Sequence, residues 1–260
     1  MSELSMWLSE RLCKYNKKEE FENLPIDIVQ EIAKVKPNNL RPSNRFLGEA
    51  ENVIFWVFDL PRVITCPGRT TICLEHCYQK DVVKMHKEKG KDSPIEVHHK
   101  INFFRSLQND FVDNMVKEIN NKKPNGKDLY IRIHACGDFY DEEYLNKWIE
   151  IATEVKKTHP KYYFMAYTKS YKILDNVMKE KIAKDSQYTL DDTNIHFMAS
   201  IMDDTKKEDM EIIERYHMPK YIATSKDVSS NVLNDCKSID CAKCLKCYNK
   251  PKGEIVTNLR

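Results

Sequence analysis

The sequence predicts an α/β fold, a partial (β/α) barrel of parallel strands, and three observations point there. Short apolar segments rich in β-branched and aromatic residues alternate with longer segments whose apolar residues recur every three or four positions. Each amphipathic segment is long enough to carry a crossover between parallel strands. Chemically active residues follow the strand-like segments, where parallel sheets and barrels gather their sites. An open doubly wound sheet fits the same rhythm, because periodicity does not say whether the edges close.

Residues 1–50 read as an N-terminal helical extension punctuated by Pro25, Pro37 and Pro42. Val53–Leu60 (VIFWVFDL) ends at Pro61 and reads as a buried strand. From His98 to Asn121, Ile101, Phe104, Leu107, Phe111, Met115 and Ile119 trace one helix face. Leu129–His134 is the next strand, after which Asp141 can cap a helix whose inner stripe is Tyr144, Leu145, Trp148, Ile151, Ala152 and Val155. Tyr162–Tyr167 is a third strand, Tyr171–Lys184 a helix, Ile195–Ile201 a fourth strand, Lys206–Tyr216 a helix and Tyr221–Thr224 a short fifth strand. The expected organisation is thus an extension (1–50), a (β/α) core (51–230) and a cysteine-rich C-terminal segment (231–260).

A 260-residue chain with 41% hydrophobic and 10% aromatic residues can pack a core, which excludes wholesale disorder. No apolar run is long enough to span a bilayer as a helix, and the N-terminus carries Glu3 without an apolar signal core; a cytoplasmic protein is expected. The balance of 42 Lys+Arg against 40 Asp+Glu, net +2, gives no general electrostatic case for nucleic acid.

Nine cysteines in a chain expected in a reducing compartment favour metal chemistry over disulfides, since seven fall into two tight groups. Cys66, Cys73 and Cys77 follow the first strand at C-x6-C-x3-C spacing. Three thiolates from one loop can hold three irons of a [4Fe-4S] cubane and leave the fourth open. Pro67 and Gly68 let the chain turn around a bulky centre. A Cys3His zinc site with His76, or buried unligated thiols, are the rival readings. Cys236, Cys241, Cys244 and Cys247 form a closed four-thiolate set at C-x4-C-x2-C-x2-C, suited to a second cluster or to structural zinc. Cys13 reads as packing. Cys136, between Ala135 and Gly137 at a strand end, fits either a ligand or a small filler.

If the architecture is a parallel barrel or sheet, its carboxyl edge gathers Cys66, Gly137, Asp138, Thr168, Lys169, Ser170, Ser200, Thr224, Ser225 and Lys226 around one mouth. The plain alternative makes Asp141 and Ser170 helix caps and leaves Lys169 and Lys226 solvated.

Two resemblances follow from these segments. LPRVITCPGRTTICLEHCY, RIHACGDFYDEEYLNKWIEIA, FMAYTKSY and the terminal CAKCLKCY resemble the gene product eighty-eight family of phages and mobile elements. A strand, a three-cysteine loop and repeated α/β units with a Gly-Asp pair after the second strand are also similar to radical S-adenosylmethionine enzymes. That similarity implies a cluster on Cys66, Cys73 and Cys77 chelated by the methionine part of the cofactor. It places Gly137 and Asp138 against that cofactor, and makes the C-terminal set an auxiliary cluster. Lys169 and Ser200 would then face cofactor or substrate. The usual spacing in that superfamily is C-x3-C-x2-C, from which this loop departs.

The leading functional expectation is an iron–sulfur enzyme of this type acting on an unknown substrate, with an electron donor as partner. The alternative is a non-catalytic metal protein, with iron–sulfur or zinc in a structural role, that binds nucleic acid or a host partner. Lys161–Tyr163, Lys169–Lys172 and Lys243–Tyr248 interleave basic and aromatic residues as a strand-binding groove would. No membrane partner is expected.

Overall fold

Every strand pair in the interior of the sheet is parallel, and the pairing order follows the chain. The computed structural model describes residues 3–36, 38–42, 49–50, 52–77, 79–225, 241–248 and 254–259. Three helices open the chain, α1 (Glu3–Leu12), α2 (Lys18–Glu22) and α3 (Ile26–Lys34), followed by short strands β1 (Leu40–Pro42) and β2 (Glu49–Ala50). Then come β3 (Val53–Phe58), α4 (Thr71–Glu75), α5 (Lys80–Lys87), α6 (Pro94–Ser106), α7 (Phe111–Asn120), β4 (Asp128–Ile133), α8 (Glu142–Thr158), β5 (Tyr162–Thr168) and α9 (Tyr171–Lys184). The chain finishes with β6 (Ile195–Met202), α10 (Lys207–Arg215), β7 (Lys220–Thr224), α11 (Cys241–Cys244) and β8 (Glu254–Asn258).

Strands β3 to β8 lie side by side in sequence order, all parallel, while β1 and β2 pair antiparallel with β3. The mixed α/β architecture with a mostly parallel sheet therefore holds. An order that never reverses, joined by right-handed crossovers, puts the connecting helices on one face of the sheet. The burial pattern agrees. Leu129, Ile131, Ile133, Phe164, Ala166, Phe197 and Ala199 share one core with α7, α8 and α9, whereas Tyr130, Met165 and Met198 belong to separate clusters on the opposite face.

Local signals fix the helix starts. Ser93 caps α6 through Glu96 N at 3.1 Å, with Pro94 in the first turn. Asp141 caps α8 through Tyr144 N at 2.8 Å, with Glu142 and Glu143 in the first turn and Lys156 and Lys157 in the last. The N-terminal helices are not a separate body: Leu8, Leu12, Phe21, Ile28 and Ile32 enter the same core as Val97, Ile101 and Phe103.

Two expectations change. The single helix from His98 to Asn121 is two helices, interrupted at Leu107–Asp110. The apolar phase survives the break because Phe111, Met115 and Ile119 still face the core. Asn109 and Asp110 are poor helix formers, which spacing of apolar residues does not register. Second, the C-terminal segment contributes β8, a sixth parallel strand paired with β7 from Lys220↔Glu254 to Thr224↔Asn258. No helix among the described residues is long and apolar enough to cross a membrane.

Candidate metal centre at the carboxyl edge of the sheet

The loop after β3 is held in place before any ligand is considered. Thr65 Oγ1 donates to Pro61 O at 2.7 Å, and Asp138 N donates to Thr65 O at 3.0 Å, tying the loop to the segment after β4. Val63 adopts φ +71, a left-handed conformation that β-branched residues rarely take, so this turn stores strain. Beyond Cys66, Gly68 packs onto the backbone after β5, where a Cβ would lie 1.9 Å from Lys169 O. Thr70 Oγ1 then accepts from Cys73 N at 3.1 Å and Asp204 Oδ2 from Ile72 N at 2.9 Å, which starts α4 and orients Cys73.

The segment after β4 is set by two buried carboxylates. Asp59 Oδ1 accepts from Ala135 N at 2.8 Å and Cys136 N at 2.7 Å, while its Oδ2 pairs with Arg41 at 2.6 Å. Those partners, with His99 nearby, hold the Asp59 carboxyl below its usual range despite burial. Gly137 has φ +87, and a Cβ there would lie 2.6 Å from Leu60 Cβ. Asp138 Oδ1 accepts from Thr168 Oγ1 at 2.8 Å and Phe139 N at 2.8 Å, and Oδ2 accepts from Lys169 N at 2.8 Å. Burial raises the Asp138 pKa, and these donors oppose the rise. Lys169 Nζ reaches across to Ser200 Oγ at 2.6 Å.

The C-terminal cysteines arrive from the other side. In α11, Cys241 and Cys244 lie one turn apart on one face, and Ala242 packs against Val53, Phe55 and Val57. The Tyr248 ring sits 4.9 Å from Phe55 and 5.3 Å from Tyr130, anchoring the segment on the inner face of the sheet.

The result is a cavity of about 360 Å³ whose wall includes Cys66, Cys73, Cys77, Cys136, Cys241, Cys244 and Cys247, together with Gly137, Asp138, Lys169 and Ser200. Both sequence groups of cysteines thus face one space. Cys236 and Lys226 lie outside the described residues. Of the other strand-end residues, Thr224 and Ser225 are engaged with Asp203, through Thr224 Oγ1 at 2.6 Å and Ser225 N at 2.8 Å. Ser170, an expected cap, makes no side-chain cap.

The electrostatics of the thiols are uneven. Desolvation first, then the Asp138 charge, pushes Cys66 up to about 12. Cys73 is raised by burial, with Lys169 pulling it back. Cys136, buried beside Asp59, is raised well above the ordinary thiol value. Such thiols stay protonated unless a bound cation takes up the charge of the thiolate. Among the described residues, no three His, Cys, Asp or Glu side chains are grouped to hold a metal ion.

Residues 14–251 match the gene product 88 family. The chain belongs to that family. The match begins after α1 and runs through both cysteine groups. Comparison with curated proteins and with solved structures gives no match.

The cavity also holds residues that motif reading passed over. Arg132 and Tyr167 line it, with the guanidinium carbon 4.9 Å from the ring centroid, and Tyr221 stands beside them. Each lies on an inward position of its strand: Arg132 is two residues after Tyr130 and Tyr167 two after Met165. Alternation of period two was the available signal. Of the basic–aromatic stretches, Lys161 precedes β5 and Lys169 follows it, about 26 Å apart along the strand.

Proposed function

We propose that this protein is an iron–sulfur enzyme of the radical S-adenosylmethionine type. Its open [4Fe-4S] centre would be held by Cys66, Cys73 and Cys77, and the C-terminal cysteines would supply a second centre. The observation that carries this reading is the convergence of six cysteines from two distant groups, with Cys136 beside them, on one cavity at the carboxyl edge of parallel strands. Sequential parallel strands with helices on one face also suit a partial barrel, the architecture expected of that superfamily. Thiolate is the soft donor that iron–sulfur centres use, and Cys66, Cys73 and Cys136 are desolvated in the cavity wall.

When bound, such a centre supplies reductive cleavage of S-adenosylmethionine and so a carbon radical for attack on substrate. The chain's own contribution is positional. Asp138 fixes the backbone at the end of β5, Lys169 is steered toward Ser200, and Arg132 with Tyr167 offers a cation and an aromatic wall on the floor of the cavity. The inner-face aromatic cluster around Tyr248 closes the base of the cavity against water.

Anaerobic purification followed by iron and acid-labile sulfide analysis, then reduction in the presence of S-adenosylmethionine, tests the reading. Iron with sulfide and formation of 5′-deoxyadenosine is the expected result. Zinc without sulfide would sink the cluster, and a reduced cluster that yields no 5′-deoxyadenosine would sink the radical chemistry.

A further inference from the structure

We propose that the face built by the cysteine loop and α5 docks an acidic protein that delivers electrons to the centre held by that loop. The donor role rests on the iron–sulfur reading; the docking face stands on its own. Residues 62–91 carry seven Lys and Arg against three acids, a surplus of four in a chain whose whole surplus is two. The rest of the chain is therefore net negative, and the positive charge is concentrated here.

Two observations set this face apart from an ordinary solvated surface. Four of the six large hydrophobic side chains that stand exposed among the described residues, Val63, Leu74, Met85 and Ile95, fall on this stretch or just after it. Arg62 precedes Val63 and its Nη2 donates to Leu74 O at 3.5 Å, so Val63 and Leu74 flank one guanidinium. Arg69 Nη1 donates to Val63 O at 3.1 Å and Lys80 Nζ to Glu75 O at 3.4 Å, which brings two more cations to the same patch. Lys84 follows one turn along α5 on the Lys80 face, with Met85 beside it. The second observation is that this charge is not neutralised. Among the described residues none of the seven cations enters an ion pair. Elsewhere Lys147, Lys157, Lys179 and Lys184 each meet an acid one turn away on their own helix.

Unpaired cations around exposed aliphatic groups match an acidic protein surface with an apolar centre. A nucleic acid fits less well, because strand-binding surfaces stack bases on aromatic rings, and the six exposed large hydrophobics include no ring. Position decides the role. Arg62, Arg69 and His76 also line the cysteine cavity, and Leu74 is the chain neighbour of Cys73. A protein seated on Leu74 thus comes within one residue of a thiol of the loop. One electron would leave the donor's reduced group and enter the loop centre, with no bond made or broken. The positive face would steer an acidic donor to this place.

Binding of the full chain to an acidic [2Fe-2S] ferredoxin, with single-stranded DNA as the competing probe, tests the face. Saturable ferredoxin binding is expected, weakened about tenfold or more between about 50 and about 300 mM salt. Leu74→Ser and Lys84→Glu, both at exposed positions, should each weaken it about five- to tenfold. Lys157→Glu, the same charge change at the far end of α8, should leave it unchanged. No saturable ferredoxin binding, wild-type affinity in Lys84→Glu, or tighter binding of DNA than of ferredoxin would overturn the docking face. The donor role has its own readout on anaerobic protein. Reduced ferredoxin should reduce the iron centre about five- to tenfold more slowly in Lys84→Glu than in the wild type, while dithionite reduces both alike. Equal rates with ferredoxin would overturn that role. A chain that carries no iron would remove the iron–sulfur reading and the donor role together, and the binding experiment would still decide the docking face.

Discussion

Asp138 and Lys169 join two strand ends: the carboxylate that follows β4 accepts the backbone amide that follows β5 at 2.8 Å. The same carboxylate holds the Thr168 hydroxyl, so one buried acid sets the geometry from which the Lys169 side chain reaches Ser200. Asp138→Asn keeps the shape but turns one accepting oxygen into a donor facing a donor. Urea unfolding should show a loss of about 1–3 kcal/mol. Lys169→Met, which leaves the backbone amide in place, should cost far less. Equal losses in the two variants would show that the side chain, not the backbone bond, is what Asp138 secures.

Glycine is required where the cysteine loop and the β4 end meet their neighbours. At Gly137 a side chain faces two penalties, a φ of +87 and a Cβ placed 2.6 Å from Leu60 Cβ and 2.8 Å from Thr65 Oγ1. Gly137→Ala should therefore destabilise by about 2–4 kcal/mol, the sum of left-handed strain and overpacking. Gly90→Ala provides the control. Its φ is +69 but nothing lies within 4 Å of an added Cβ, so only the backbone penalty of about 1–2 kcal/mol applies. Thermal unfolding of the pair measures the difference, and a Gly137 variant no less stable than the Gly90 variant would contradict the close packing described.

How much of this was visible in the sequence depends on the range of the interaction. Strand β4 was legible because Leu129, Ile131 and Ile133 alternate with Tyr130 and Arg132, and the cap at Asp141 because it is local. The inward destination of Arg132 was not, since alternation separates two faces without saying which one forms a site. Strand β8 is short, with Glu254 and Asn258 at its ends, and it exists through pairing with β7; no local pattern announces it. Spacing grouped Cys66 with Cys73 and Cys77, and Cys241 with Cys244 and Cys247. Their meeting depends on Ala242 and Tyr248 seating against β3 and β4, a contact between residues far apart in the chain.

Helix α6 carries a buried acid whose ionisation should be visible in the pH dependence of stability. Burial raises the Glu96 carboxyl to about 7, with Lys100 opposing and Asp92 reinforcing the rise. From the usual carboxylate pKa up to about 7 the native state binds more protons than the unfolded chain, so stability from this group falls as pH rises through that window. His99, 3.9 Å away and lowered to about 4 by burial, acts in the opposite sense: its contribution is lost as pH falls from the ordinary histidine value toward 4. The two slopes oppose each other in the wild type. In Glu96→Gln only the histidine slope remains, so the variant should gain on the wild type by about 1–3 kcal/mol between pH 4.5 and 7. Denaturant unfolding across that range reads the gain directly, and parallel curves for the two proteins would mean that Glu96 is ionised throughout.

Convergence of the cysteines makes a prediction about metal content that the spacing alone could not make. If the loop and the C-terminal segment hold separate clusters on one cavity, Cys66→Ala/Cys73→Ala/Cys77→Ala should remove about four irons and leave about four. Cys241→Ala/Cys244→Ala/Cys247→Ala should do the reverse. The loop variant should also abolish any 5′-deoxyadenosine formation, because the open iron would belong to that centre, and the C-terminal variant should retain cleavage of the cofactor. Cys136→Ala separates ligand from filler: the thiol is buried, and a filler leaves iron and sulfide at the wild-type level while stability falls slightly, whereas a ligand takes iron with it. Iron and acid-labile sulfide measured on anaerobically purified variants decide among these outcomes. If either triple variant empties the protein of all iron while its circular dichroism stays native, the two cysteine groups serve one shared centre and the division into two is wrong.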